Sequence, residues 1–300
     1  MTNKEIYIQL VAQEAYASKI PVFALPYWLD AVAENWNVCL VSECESESES
    51  KREIIAVLPY CWKGNFITKR IYLPDLNFYQ SVIFFKAVKN KQEITQKLIQ
   101  QLPKTVKTYL KFLPTYSPLD LSNLSYIKED YYTYIIPKHQ QILSLSNNHK
   151  RNIQKGIKQQ YLIKTSKNIE LSFALLVATF ARQKQSAKIT LSEFKKINTL
   201  VKKQQSGQTL DCFDKDKNLL ASVFIIEDAQ TVYYLLGGFD THYKNSGAMT
   251  FLLHYCIQYA LQQQKDFNFC GSTKKSIATF FEGFGAAKTN ISIWKKSILS

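Results

Sequence analysis

The stretch TVYYLLGGFDTHYKNSGAMTFLLHYCIQYALQQQKDFNFC, residues 231–270, decides the fold. It opens on β-branched and aromatic residues, 231–236, that suit a strand. Gly237 and Gly238 end that run. Two glycines there permit a bulge, or the close approach of another chain or a ligand. Ala248, Phe251, Leu252, Tyr255, Cys256 and Tyr259 then recur at i, i+3, i+4, i+7, i+8 and i+11, one face of a helix. Met249, Leu253 and Ile257 widen that face, as for a helix lying on a sheet. A short apolar run, 267–270, follows. Strand, crossover helix and strand make a βαβ unit whose strands are parallel.

Working outward, the runs 209–213, 219–226 and 231–236 are joined by the short polar connections DKDKN and EDAQ. Short turns imply antiparallel neighbours. Before them the pattern predicts three helices. A basic one covers 148–159, with Arg151, Lys155 and Lys158 on one stripe and Ile153 and Ile157 on another. Phe173, Leu176, Val177 and Phe180 stripe the second. The third opens with Thr190 and Glu193, spaced as a capping box. After residue 270 come a short helix over 275–281, a GFG turn and a strand over 290–295. The C-terminal half is therefore a mixed sheet with helices on its faces.

The chain divides near residue 138, giving parts 1–138 and 139–300. The first begins with a helix carrying Leu25, Trp28, Leu29, Val32 and Trp36 on one face. Strand-like runs follow at 37–41, 54–62, 67–73 and 78–85. The acidic, low-complexity SECESESESKRE between the first two reads as an exposed hairpin loop. A helix over 91–102 leads to strands at 105–113 and 131–136, with Pro114 and Pro118 marking the loop between them.

The charge is uneven. The chain carries a net +14, of which residues 1–138 hold +2 and residues 139–300 hold +12. The excess suggests a polyanionic ligand for the second part: a phosphate-rich cofactor, a nucleic acid or an anionic surface. A solvated, Lys-rich surface gives the same count. The candidate contacts are Lys150, Arg151, Lys155 and Lys158, since no Asp or Glu occurs between Ile135 and Ile169. An apolar content of 46% excludes a disordered chain. Glu227 and Asp228 interrupt the longest apolar stretch, so no membrane span is read. The first residues lack the apolar run of a signal peptide. The six cysteines form no CxxC pair and read as reduced core thiols. The cytoplasm is the expected compartment.

Little chemistry is legible directly. No metal site, GxSxG elbow, Walker A loop or GxGxxG is present. His242 and His254 are the histidines considered for acid–base work. The segment YKNSGAM is more informative, because N–H groups at a helix N-terminus bind phosphate. Gly247 leaves that approach open and Lys244 adds charge. A plain loop with an Asn or Ser cap fits the same residues, and both readings stand.

The order of these segments resembles the GNAT acyltransferase superfamily, and within it the FemAB-like branch. That branch includes peptidoglycan-bridge aminoacyltransferases and related acyl-CoA enzymes. SNNHKRNIQKGIK (residues 146–158) is similar to the basic helix opening its second lobe. Strand, GG, loop, SGA and helix (residues 231–261) match the GNAT strand, phosphate loop and crossover helix. FNFCGSTKKSIATFFEGFGA (residues 267–286) is similar to its DFxGS stretch, short helix and FGA. The resemblance implies an α/β (α+β) protein of two GNAT-like lobes, each a mixed, mainly antiparallel sheet flanked by helices. Lys244 and Met249 depart from the phosphate-loop pattern. Asn268 stands where the branch often has Asp, and an Asn orients by hydrogen bonds but is no base. Phe281 stands at a Tyr position of many GNAT enzymes and has no proton to donate.

The implied chemistry is direct acyl transfer: an amine or hydroxyl attacks the carbonyl of a bound donor, with proximity supplying much of the rate. Backbone groups at Leu236, Gly237 and Gly238 would align the donor. Lys244, Gly247 and Ala248 would receive its phosphates. Asn268, Ser272, Lys274 and Tyr234 are the residues expected at the reacting groups. An acyl-CoA such as acetyl-CoA is the expected donor, as cosubstrate and not a tightly bound cofactor. The alternatives are an aminoacyl-tRNA-dependent transferase acting on a cell-envelope precursor, and a non-catalytic binding module on a degenerate GNAT fold.

Overall fold

A computed structural model describes residues 1–44, 52–113, 119–140, 142–182, 184, 186–187, 189–271 and 274–298. The chain forms two compact units. Met1–Tyr131 and Asn290–Ser300 make the first, and Tyr132–Thr289 the second. The mixed α+β, two-lobed architecture is as expected. The break differs from the expected residue 138: it falls inside a strand, and the last strand belongs to the first unit.

The first unit begins with α1 (Asn3–Val11) and α2 (Glu14–Ala17), then α3 (Pro26–Val32), β1 (Asn35–Cys44) and β2 (Arg52–Lys63). Sequence periodicity missed α1, whose only buried residue is Tyr7. Trp36, expected on the helix, lies in β1. β1 and β2 pair antiparallel out to Cys44 and Arg52. The acidic segment 45–51 between them lies outside the described residues. β3 (Arg70–Tyr72), β4 (Ile83–Phe84), α4 (Lys91–Gln100) and β5 (Lys107–Phe112) follow.

β2 pairs antiparallel with β3 and with β4, while β3 pairs parallel with β5 through the α4 crossover. α4 buries Leu98 against Leu58, Leu110 and Trp294. Tyr7 of α1 and Leu29 of α3 bury Val57 and Ile83 in a separate cluster. Apolar faces on both sides explain the unbroken run Ile55, Ala56, Val57 and Leu58.

The second unit is built on β6 (Ile127–Ile136, from Tyr132 on), α5 (Asn147–Lys158), β7 (Leu162–Thr165), α6 (Ile169–Arg182), α7 (Leu191–Lys203), β8 (Gly207–Phe213), β9 (Leu219–Glu227) and β10 (Thr231–Phe239). It continues through α8 (Ala248–Gln262), β11 (Asp266–Asn268) and α9 (Lys275–Glu282). The chain's last strand, β12 (Ala287–Ser297), pairs antiparallel with β5 and buries Trp294 in the first unit's core. That burial is why it leaves the second part.

The strands of this unit run in the order β6, β11, β10, β9, β8, β7. Among the described residues of this unit, only β10 and β11 pair parallel, as the α8 crossover requires. The turns DKDKN and EDAQ join antiparallel neighbours. α8 buries Leu252, Leu253, Cys256, Ile257 and Ala260 against Val223, Ile225, Val232 and Phe267. Each buried Leu, Ile, Val or Phe among them contributes about 1.5–3 kcal/mol by leaving water. Tyr255, expected on this face, is instead exposed. Leu176 and Phe194 of α6 and α7 are buried, and Phe194 stacks edge-on against Phe224 of β9. The expected capping box of Thr190 and Glu193 is formed.

Candidate active site on the second unit

β10 carries a bulge between Tyr234 and Leu236, ahead of the glycine pair, and Gly237 and Gly238 pair regularly with Val223 and Ser222 inside the strand where a bulge or the strand's end was expected. Its pairing with β11 stops at Tyr233 and Asn268. From Tyr234 to Phe239 no strand pairs with that edge of β10 among the described residues. The two strands therefore part at the bulge and leave a stretch of backbone open. The glycines have separate causes. A Cβ at Gly237 would lie 1.9 Å from the Tyr234 hydroxyl oxygen, and one at Gly238 would lie 2.0 Å from the Leu175 carbonyl oxygen. Gly237 thus makes room for the phenol, and Gly238 lets the α6 backbone lie against the strand. Leu236, just before them, is half-buried.

Tyr234 leans on Phe269 and Phe281, with ring centroids 6.4 and 6.2 Å away. Phe281 stacks on Phe269 at 4.3 Å, so the position that lacks a phenol is filled as core. Burial pushes the Tyr234 phenol well above the ordinary tyrosine value. At neutral pH it is a donor and not a base. Tyr233, its neighbour, is fully buried and donates to Asp228 Oδ2 at 3.1 Å.

Asn268 is 1% exposed. Its Oδ1 accepts from Thr133 Oγ1 at 2.6 Å and from the Cys270 backbone N–H at 2.9 Å. These bonds pin the turn after β11, where Cys270 and Gly271 take φ of +57° and +84°. Asn268 therefore positions the turn. Ser272 lies outside the described residues. Lys274 is the N-cap residue of α9.

A second feature starts where β10 ends. A cleft of about 830 Å³ is lined by Lys155, Lys158, Tyr161, Lys215, Lys244 and the loop 242–246. Lys155 donates to the Asn245 carbonyl at 2.8 Å, and the Tyr161 hydroxyl to the Ser246 carbonyl at 3.0 Å. These bonds hold the loop against α5. Asp214 and Asp216 also line the cleft, and the Asp214 carboxylate is consumed by Asn218 and the Asp216 N–H. Those bonds hold its carboxyl below the usual range.

Of the basic residues expected to meet a polyanion, the structure brings Lys155, Lys158 and Lys244 into this cleft. Lys150 and Arg151 are exposed on α5 outside it. The apolar stripe of α5 is corrected: Ile153 is buried, but Ile157 is 56% exposed. Gly156 replaces it, since a Cβ there would lie 2.4 Å from the Phe251 ring. Sequence reasoning missed Lys215, which lay in a segment read only as a turn, and Tyr161, which lies beyond the helical period.

Gly247 is the N-cap of α8, with φ +76°. A Cβ there would approach the Asn152 Cβ to 2.9 Å. Ser246 Oγ accepts from the Ala248 N–H at 3.2 Å, and the Ala248 side chain is buried. The glycine thus serves the turn and the contact with α5, and the cleft stops at Ser246. Of the histidines, His242 bonds Asp240 on the loop at 2.8 Å. His254 is half-buried on α8. His149 is buried, with Nδ1 2.8 Å from Ser146 Oγ and its ring against Phe280 and Phe284.

With this geometry in place, comparison with known proteins is informative. The model of the FemAB family matches residues 120–286. No curated protein matches the sequence. Among solved structures, FemX is similar at a TM-score of 0.67 and 11% identity, covering 97% of this chain and 96% of that one. The structure of L-PGS from Bacillus licheniformis gives 0.54 at 11% identity, over 87% and 85%. A tandem GNAT protein from the clavulanic acid biosynthesis pathway gives 0.52 at 9% identity, over 98% and 94%. At such identities these likenesses speak for the fold.

Proposed function

The chain belongs to the FemAB family and is a transferase of GNAT-like fold, and from that premise we propose that it moves an amino acid from aminoacyl-tRNA to an amine on a cell-envelope peptide precursor. The lysine cleft carries the reading. Lys155, Lys158, Lys215 and Lys244 spread charge over a wide open surface, which suits a chain of phosphates. The α8 N-terminus is less suited to a compact pyrophosphate, because Ser246 already takes the Ala248 N–H. An acyl-CoA donor, the expectation from the order of elements, is for that reason the weaker reading.

The amine nitrogen attacks the ester carbonyl carbon. The C–N bond forms, the C–O bond to the ribose breaks, and the proton shed by the amine ends on the ribose oxygen. The open edge of β10 beyond Tyr233 offers backbone groups to align the ester. The Tyr234 phenol, held protonated by burial, donates to the carbonyl oxygen as charge develops there. Holding both reactants together supplies much of the remaining rate. This reading requires the cytoplasm, where charged tRNA is available.

The test is transfer. The purified protein is given tRNA charged with labelled amino acids and a cell-wall peptide with a free amine. Label in a base-stable amide supports the reading. Label that stays on tRNA, while acetyl-CoA acylates the same peptide, overturns it.

A further inference from the structure

The first unit carries a feature that the transfer reaction does not use. The hairpin joining β2 to β3 ends in Gly64, Asn65, Phe66, Ile67 and Thr68. Phe66 is 98% exposed and Ile67 77%. Single exposed apolar residues need no explanation, but these two are adjacent and rigidly held. Asn65 Oδ1 accepts from the Ile67 N–H, the Thr68 N–H and the Thr68 hydroxyl, each at 3.0 Å. The Asn65 N–H donates to Thr68 Oγ1 at 3.2 Å. Gly64 takes φ +91°, where a Cβ would lie 2.7 Å from the Thr68 carbonyl oxygen. The tip is a closed turn that keeps both apolar side chains in water.

Around its base lie Lys63, Lys69 and Arg70. Arg70 is in register with Lys107 of β5, and the Lys69 carbonyl accepts from the Val106 N–H at 2.9 Å. That places Lys104 and Lys107 beside the same base. No Asp or Glu occurs between Lys63 and Pro74 or between Ile94 and Leu119. None of the five cations is in an ion pair among the described residues. Two aromatic rings complete the base. Lys69 Nζ lies 4.3 Å from the Trp62 ring centroid and Lys63 Nζ 4.4 Å from that of Tyr72. Both rings are half-buried.

An apolar tip, a Trp/Tyr belt and a basic collar follow the order of polarity across a bilayer interface. We propose that this hairpin docks the protein on an anionic membrane surface, with Phe66 and Ile67 entering the acyl boundary and the collar meeting acidic headgroups. A neutral protein surface would satisfy the two apolar residues but bring no anions to the five cations. Each cation near an anionic bilayer strengthens binding roughly fivefold, and burying the two apolar side chains adds at least about tenfold. The docking is peripheral: no helix among the described residues is long and apolar enough to cross a membrane. The proposal is independent of the donor and acceptor discussed above.

The experiment is co-sedimentation of the full chain with vesicles of phosphatidylglycerol and phosphatidylcholine, and with phosphatidylcholine alone. The key variant is Phe66→Ser with Ile67→Ser, which keeps every charge and, both residues being exposed, keeps the melting temperature. The wild type is expected to bind the anionic vesicles, with a blue shift of tryptophan emission that Trp62→Phe removes. The double variant is expected to bind about tenfold or more weakly. No binding by the wild type overturns the proposal. Equal binding by the double variant also overturns it, because bulk positive charge then accounts for the attraction.

Discussion

The Tyr234 hydroxyl fills the space that a side chain on Gly237 would need: a Cβ there would lie 1.9 Å from its oxygen. The bulge at Leu235 brings two residues three apart onto one face, so the phenol folds back along its own strand. One residue on, the obstacle at Gly238 is the α6 backbone at Leu175. The two glycines therefore predict different costs. Gly237→Ala pushes a side chain aside, at about 1–3 kcal/mol. Gly238→Ala must move a helix, and its cost exceeds that range. Urea denaturation of both variants checks the order. The reverse order would mean that α6 yields more easily than the aromatic cluster.

Asn268 invites a test of position against chemistry. Its Oδ1 satisfies two donors in a buried place. Asn268→Ala removes both bonds, at about 1–3 kcal/mol each. Asn268→Asp keeps the acceptor. If Asn268 only positions the turn at Cys270, the Asp variant retains turnover and the Ala variant loses stability. An Asp variant with native stability but lost turnover would put Asn268 in contact with substrate.

The second unit is expected to weaken in mild acid. Burial holds the His149 imidazole below the ordinary histidine value, and the Phe280 carbonyl offsets part of that. Burial acts on His254 in the same direction. The folded state therefore keeps both neutral more firmly than the unfolded chain does. Above the ordinary value of 6.5 both states are neutral and stability is complete. As pH falls below it, the unfolded chain binds protons first. Stability then drops by at most about 1.4 kcal/mol per pH unit for each histidine. His149→Phe keeps a ring against Phe280 and Phe284 and removes one proton. Its denaturation midpoint should fall less steeply with pH, and an unchanged slope would acquit His149.

Much of the second unit was legible because one segment, residues 231–270, combines strand, glycine pair, helix and strand in an order with few architectural solutions. Periodicity located α8, and short turns gave the antiparallel neighbours. The failures have physical reasons. Tyr255 fits the helical period but points to water, since period marks a face and not its edges. α1 buries only Tyr7 and so shows little period. β12 joins the first unit through a pairing of high sequence separation, which no local pattern reports. In the candidate site, sequence marked Lys155, Lys158 and Lys244. It did not mark Lys215 or Tyr161, which reach the cleft only because β8, β9 and α5 converge there.

At Gly247 the backbone conformation and the contact with α5 each call for a glycine. Its φ of +76° alone makes an alanine cost about 1–2 kcal/mol. The approach of Asn152 to within 2.9 Å of an added Cβ adds to that. The contact term is separable. Asn152→Gly removes the opposing atoms, so the two substitutions together should cost less than their sum. Strict additivity in thermal melts would show that α5 moves away freely. A charged residue at Gly247 would disturb this contact whatever it did to a ligand, so ligand binding is better probed at the lysines.

The lysines permit a sharper measurement. A cation that contacts a phosphate of tRNA releases a counterion, so its removal lowers the slope of log affinity against log salt by about 0.7–0.9. Lys158→Ala and Lys244→Ala should each show that change, because both line the cleft. Lys155→Ala should do more, since its ammonium also holds the Asn245 carbonyl, and loss of that bond loosens the loop. Arg151→Ala is the discriminating control. It shares the helix and the charge but lies outside the cleft, so its slope should match the wild type. An equal effect at Arg151 would mean that the whole basic face of α5 meets the nucleic acid. No effect at Lys158 or Lys244 would remove the cleft from tRNA binding altogether.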